Sequence, residues 1–217
     1  MIEGTGLLAV WMGIDPEGEA DLNGWYEQEH LAERIAIPGF LRARRYKSVQ
    51  GAPTYLALYD LASPAVLDSE PYLRARRQPT DWTSRLTARL TANIRNEYEL
   101  VQSIGAGPPE GGLYLAAVRI ETAPEHDADL NAWYETEHLA ALAAVPGVLA
   151  ARRYRATAGS PRYLALYELE HGEAPSSEAW RAASRTAFTQ RMRPLIRNMA
   201  FNLGRRLGDP ATFPNRA

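Results

Sequence analysis

The chain carries nearly the same 41-residue segment twice. Asp21–Leu61 and Asp129–Leu169 align without a gap at an offset of 108 residues, and 26 of the 41 positions are identical. A repeat of this length is a structural unit. It limits the fold to architectures that can be built from two copies of one supersecondary motif. It also gives an internal comparison, because a residue kept in both copies has survived twice in the same environment.

Each unit reads β-α-β-β-α-β. In the first, Leu7–Ile14 is an apolar run of strand length, and Asp15-Pro16-Glu17-Gly18 turns the chain. Asp21 is placed to cap a helix carrying Leu22, Trp25, Tyr26, Glu29, His30 and Glu33. Pro38-Gly39 ends it. Phe40–Val49 and Thr54–Leu61 form a hairpin around Gly51-Ala52-Pro53. A second helical region, about Leu67 to Leu90, is interrupted at Pro71 and Pro79, and Thr91–Ile104 closes the unit. The second unit predicts strands at Leu113–Glu121, Val148–Thr157, Arg162–Leu169 and Ile196–Leu207, and helices at Asp127–Ala143 and Ser176–Arg193.

This is the split βαβ order of a ferredoxin-like unit. We divide the chain into a first repeat (1–104), a linker (105–112), a second repeat (113–208) and a tail (209–217). Asn93-Ile94-Arg95-Asn96 resembles Leu195-Ile196-Arg197-Asn198 at an offset of 102, which implies that the second copy has lost six residues, at Arg77–Thr83 of the first. Tyr55, Ala57 and Tyr59 alternate with Leu56 and Leu58, so both faces of each sheet need cover. Two sheets packed face to face supply it. The expected fold class is α+β: two ferredoxin-like units closing one eight-stranded α+β barrel within the chain, helices outside.

Composition removes several function classes. The chain has no cysteine, so disulfides, thiolate nucleophiles and sulfur-ligated metals are absent. A net charge of −2 gives no electrostatic reason to expect nucleic acid. No apolar run reaches membrane-span length, and the N-terminus lacks the basic region of a secretory signal. The expectation is a cytoplasmic bacterial protein. No Gly-rich phosphate loop follows a strand, and His-x3-His zinc spacing is missing. No cofactor or metal is therefore expected.

The shared motif is Trp-Tyr-Glu-x-Glu-His-Leu-Ala, with Pro-Gly eight and nine residues beyond the histidine. Tyr26 and His30 are i,i+4 and share a helix face, as do Tyr134 and His138. Histidine titrates near neutrality and suits acid/base work, which makes His30 and His138 the candidate catalytic residues. Tyr26, Tyr46, Tyr55, Tyr59 and Arg44, with Tyr134, Tyr154, Tyr163, Tyr167 and Arg152, are candidates for binding substrate oxygens. Glu27 or Glu29 can pair with Arg44 or Arg45, and the second copy keeps the set as Glu135, Glu137, Arg152 and Arg153. A structural role competes with the catalytic one: each histidine would clamp the Pro-Gly turn or a strand carbonyl, since buried polar groups need partners.

With Tyr26, His30, Pro38, Gly39 and Tyr46, repeated as Tyr134, His138, Pro146, Gly147 and Tyr154, the sequence resembles the EthD-type branch of the dimeric α+β barrel superfamily. The resemblance covers both halves and implies a tandem-fused member of a group whose units usually dimerise. That superfamily includes cofactor-free monooxygenases, cyclases, dehydratases, isomerases and haem enzymes, so fold does not choose the reaction. Two function classes follow. One is a cofactor-independent enzyme (monooxygenase, cyclase, dehydratase or isomerase type) acting on a small aromatic or polyketide-like compound. The other is a non-catalytic small-molecule-binding or structural, stress-associated protein. The expected partner is a small molecule, with no nucleic acid and no membrane; a further homodimer is left open. Trp11 aligns with Arg119, Arg42 with Ala150, Phe40 with Val148, and Glu97 and Tyr98 with Met199 and Ala200. These differences predict unequal half-cavities, with the ligand site kept in one half.

Overall fold

Eight antiparallel strands close into one barrel in the order β1-β3-β2-β8-β5-β7-β6-β4. The computed structural model describes residues 4–105 and 112–212. The strands are β1 (Gly6–Ile14), β2 (Phe40–Gln50), β3 (Tyr55–Leu61), β4 (Leu90–Ile104), β5 (Tyr114–Glu121), β6 (Val148–Ala158), β7 (Tyr163–Leu169) and β8 (Arg197–Thr212). Each half contributes four neighbours, β4-β1-β3-β2 and β8-β5-β7-β6. The halves join where β2 meets β8 and β4 meets β6. Two ferredoxin-like units thus form a single barrel. Most of the linker and the end of the tail (213–217) lie outside the described residues, while β8 runs to Thr212, into the segment read as tail.

Period-two alternation sorts the side chains. Leu7, Ala9, Trp11, Leu56 and Leu58, with Leu115, Ala117, Leu164 and Leu166, fill the barrel. Leu8, Met12, Tyr55, Ala57 and Tyr59 face outward under the first half's helices, and Ala116, Ile120, Tyr163, Ala165 and Tyr167 do so in the second. The molecule therefore has three cores: one shared inside the barrel, and one per half between sheet and helices. Each buried leucine contributes roughly 1.5–3 kcal/mol relative to an exposed one.

Charges are buried in the shared core as well. Arg44 bonds Asp60 at 2.8 Å and reaches Glu168 of the other half. Arg152 bonds Glu168 at 2.6 Å and lies 3.7 Å from Asp60. Two guanidiniums and two carboxylates neutralise one another across the junction, and Tyr46 donates to Glu168 at 3.3 Å. Trp11 and Arg119, which align in the repeat, touch each other: the guanidinium lies 4.2 Å from the indole ring centroid.

The helices differ from expectation in their starts and breaks. Asp15, not Asp21, accepts from the Gly18 amide (2.7 Å), and α1 begins at Glu19 (Glu19–Trp25). The backbone then makes a π turn over Tyr26–His30 and continues as α2 (Leu31–Ile35). The region read as one interrupted helix is α3 (Glu70–Arg77) and α4 (Asp81–Thr87). Pro71 sits in the first turn of α3, where its missing N–H costs nothing, and Thr80 caps α4. In the second half α5 (Asp127–Trp133), a π turn over Tyr134–His138 and α6 (Leu139–Ala143) repeat the first arrangement. The last predicted helix is two: α7 (Glu178–Ala183) and α8 (Ala187–Met192), the latter started by a Thr186 cap.

Strand register corrects the alignment of the closing strands. Ala9 pairs with Asn96, and its copy Ala117 pairs with Asn202, so the offset there is 106. The second copy is therefore two residues shorter, not six. Thr80 and Thr83 correspond to Thr186 and Thr189, which puts the loss at Gln78-Pro79, inside the expected stretch. Glu97 and Tyr98 consequently match Leu203 and Gly204, not Met199 and Ala200. Asn202 donates to the Pro53 carbonyl (3.3 Å) in the other half's hairpin turn. Gly51 and Gly159 in the two turns have positive φ (89° and 100°). A Cβ on Gly51 would lie 2.1 Å from the Phe201 carbonyl oxygen, and one on Gly159 would lie 2.4 Å from Asn96 Oδ1. Each half's closing strand thus packs on a turn that only glycine fits.

Candidate functional site

Each half has a pocket between its helices and the outer face of its sheet. The first, about 300 Å³, is lined by Met12, Trp25, Tyr26, His30, Tyr59 and Tyr72, among others. The second, about 450 Å³, is lined by Ile120, Trp133, Tyr134, His138, Tyr167 and Trp180, among others. Both volumes suit small-molecule sites.

The π turn builds the repeated part of each pocket. In an α-helix, residues five apart point about 140° away from each other. The wider turn closes with Leu31 N–H donating to the Tyr26 carbonyl, and Leu139 to Tyr134. That brings the tryptophan over the histidine. The Trp25 and His30 rings stack with centroids 4.0 Å apart at 26°, and Trp133 and His138 at 3.9 Å and 24°. Tyr26 and Tyr134 present their rings edge-on to the imidazoles, at 5.3 and 5.2 Å. Such π bulges are frequent at functional sites. Trp25 Nε1 donates to Glu29 (3.1 Å) and Thr83 (3.0 Å), and Trp133 Nε1 to Thr189 (3.1 Å), which fixes the indoles.

Neither histidine is a hydrogen-bonded clamp at Nδ1, since both Nδ1 atoms are buried without a partner. Burial holds the His138 imidazole down at about 4, and burial with Arg34 and Arg45 holds His30 well below its ordinary value. Both rings are therefore neutral at pH 7. Burial pushes the Tyr26 and Tyr134 phenols up to about 12, and Tyr59 and Tyr167 well above their ordinary value. Each pocket pairs a neutral nitrogen base with two phenols that stay protonated.

The structure brings together His30, Tyr26 and Tyr59, and separately His138, Tyr134 and Tyr167. The other candidates lie elsewhere. Arg44, Tyr46, Arg152 and Tyr154 point into the barrel, one strand face away from the histidines. Tyr55 shares the outer face with Tyr59 but begins its strand roughly 13 Å along it; Lys47 lies over its ring, 5.9 Å from the centroid. Tyr163 takes the same place in the second half, beside Arg153 and Arg162. Among the described residues no helix glutamate makes an ion pair with the strand arginines Arg44, Arg45, Arg152 and Arg153; Glu27 and Glu135 act on Arg45 and Arg153 only at longer range. Glu29 is taken by Trp25 and Thr80, and Glu137 by Thr186. Arg45 instead bonds Asn23 (2.8 Å) and stacks on Tyr26 at 3.8 Å; Arg153 bonds Asn131 (2.6 Å) and stacks on Tyr134 at 4.5 Å.

Residues not foreseen complete the walls. Arg34, Tyr72, Asn93 and Arg95 line the first pocket, where the second has Leu142, Trp180, Met199 and Phe201. No three His, Cys, Asp or Glu side chains converge in metal-binding geometry among the described residues. Among them, too, no helix is long and apolar enough to cross a membrane.

No protein-family model and no curated protein matches this sequence. Solved structures do match it. An anthrone oxidase-like protein superposes with a TM-score of 0.70 at 14% identity, over 99% of this chain and 95% of its own. A Lactobacillus acidophilus protein provisionally assigned as a monooxygenase gives 0.62 at 9% identity, over 96% of both chains. A mutant chlorite dismutase from Candidatus Nitrospira defluvii gives 0.60 at 16% identity, over 96% of this chain and 92% of its own. At these identities the likeness is one of fold: the chain has an eight-stranded α+β barrel fold like theirs.

Proposed function

We propose that this chain is a cofactor-independent enzyme of the EthD-type branch, a tandem fusion acting on a small aromatic or polyketide-like compound. One observation carries the reading: in both halves a neutral histidine without an Nδ1 partner lines a cavity beside protonated tyrosines. The imidazole takes a proton from an acidic ring carbon or phenol. The tyrosines, kept protonated by burial, donate to the oxygen on which negative charge collects. The stacked indole holds the imidazole plane in place and keeps water from it.

Likeness to an anthrone oxidase-like protein supports an oxygenation. For an anthrone-type ring, proton removal leaves an electron-rich enolate that reacts with molecular oxygen. The methylene carbon loses two hydrogens and gains one oxygen as a carbonyl; the second oxygen leaves as water with those hydrogens. The second pocket, larger and walled mainly by side chains such as Leu142, Phe201 and Trp180, with Arg193 the one arginine in its lining, suits such a ring. His138 and the phenols of Tyr134 and Tyr167 therefore carry the reaction.

Incubation with anthrone in air, following anthraquinone formation and oxygen uptake, tests this. His138→Ala is expected to lower turnover by about 10²–10⁴-fold, and His30→Ala by far less. Unchanged turnover in folded His138→Ala protein rejects the role of His138. Equal losses from both variants reject the assignment of turnover to one half.

A further inference from the structure

The two pockets share their Trp-Tyr-His set, a second tyrosine, a threonine and a valine, and differ in the charge of the rest of the wall. Arg34 on α2 corresponds to Leu142 on α6, and Arg76 on α3 to Ser184. By strand register Arg95 on β4 corresponds to Phe201 on β8, and Asn93 to Met199. Every cationic position of the first pocket's wall is thus uncharged in the second pocket. The first wall carries Arg34, Arg76 and Arg95; the second keeps a single cation, Arg193, where the first has Thr87, and is otherwise uncharged.

Arg34 is the key member. It is 7% exposed, and its Nη1 is buried without a hydrogen-bond partner. Among the described residues it makes no ion pair. Arg95, by contrast, is paired with Glu97 at 2.5 Å and donates to the Tyr72 hydroxyl at 2.8 Å. Glu33, the neighbouring carboxylate, lies 3.9 Å from His30 Nδ1 and feels the charge of Arg34, but makes no ion pair with it among the described residues. The guanidinium groups of Arg34, Arg95 and Arg76 all lie about the Tyr72 ring, at 5.6, 5.8 and 6.0 Å from its centroid. A buried guanidinium without a carboxylate is costly unless an anion completes it. Its planar fork matches a carboxylate. The indole of Trp25 and the ring of Tyr72 supply aromatic walls beside it.

We propose that the first pocket is a binding site for a small aromatic carboxylate, held by Arg34, and that it is distinct in ligand class from the neutral-ring pocket of the second half. One buried guanidinium with an unpartnered Nη1 calls for a monoanion, and the smaller volume for a compact ring. The proposal stands on the walls of the first pocket and not on turnover in the second. The two readings can therefore fail separately.

Titration calorimetry with 2-naphthoate and neutral 2-naphthol at pH 7 tests it, using the full chain, Arg34→Leu and Arg34→Gln. Arg34→Leu installs the residue of the other half; Arg34→Gln keeps a polar side chain should leucine disturb folding. Wild-type protein is expected to bind 2-naphthoate. Both variants should lose about tenfold to hundredfold in that affinity, the range for a hydrogen bond to a charged group, and keep their affinity for 2-naphthol. Leu142→Arg should give the second pocket naphthoate binding. Wild-type naphthoate affinity in both folded variants overturns the proposal, as does a wild-type protein that binds no naphthoate.

Discussion

The inside of the barrel and the walls of the two pockets have diverged to different degrees. Inside the barrel, Leu7, Ala9, Arg44, Tyr46, Leu56 and Leu58 recur as Leu115, Ala117, Arg152, Tyr154, Leu164 and Leu166. In the pockets the helix motif, the second tyrosine, the tryptophan's threonine and one valine (Val10, Val118) recur, while Arg34, Arg76 and Arg95 give way to Leu142, Ser184 and Phe201, and Thr87 to Arg193. Contact explains the difference. A barrel residue packs against both halves, so a change must fit two sheets at once. A pocket residue touches only its own half and is free to change. Duplication has kept the junction and released the cavities.

The junction should be the most sensitive region. The Glu168 side chain is 2% exposed and accepts from Arg44 and Arg152, while its counterpart Asp60 is 18% exposed. Glu168→Gln is expected to cost about 3–5 kcal/mol, because it leaves buried guanidinium charge unmatched. Asp60→Asn should cost clearly less. Urea unfolding of both variants compares them, and equal losses would remove the distinction between the two acids.

Next is the acid response of the pockets. His138 is neutral when folded, with its imidazole at about 4, below the ordinary 6.5. A depressed histidine adds no instability above pH 6.5 and costs stability as pH falls from 6.5 toward 4, by about 3 kcal/mol in total. His138→Asn should remove that part of the acid loss. The check is the difference in unfolding free energy between variant and wild type from pH 7 to 4; a flat difference refutes it. His30→Asn should flatten the curve in the same sense. The smallest effect is expected at the hairpin contacts: Asn202→Ala removes bonds to Ser48 and Pro53 and should cost roughly 1–2 kcal/mol in the same assay.

Much of the fold was legible because the repeat and the period-two alternation are local patterns. The face-to-face closure followed from Tyr55-Leu56-Ala57-Leu58-Tyr59 and its copy; the order of the strands around the barrel did not. The π turn was not legible. Tyr26 and His30 share a face in an ordinary α-helix, but Trp25 reaches His30 only when the turn widens, and no residue in the motif announces that. Arg44 and Arg45, as consecutive strand residues, fall on opposite faces, yet sequence alone could not say which face was the barrel. The cationic wall was half visible. Arg34 against Leu142 stands within the aligned repeat, whereas Arg95 against Phe201 was hidden by the misleading Asn-Ile-Arg-Asn echo. Register, fixed by pairing with β1 and β5, was needed to recover it.

The Trp11–Arg119 contact has an implication for the history of the chain. Equivalent residues that touch lie at the molecular pseudo-twofold axis. A symmetric dimer of second halves would bring Arg119 against its own copy, two like charges meeting in a buried place. A dimer of first halves would set one indole against another. A second-half homodimer would carry a like-charge penalty at this point that the fused chain avoids by placing an indole opposite the guanidinium.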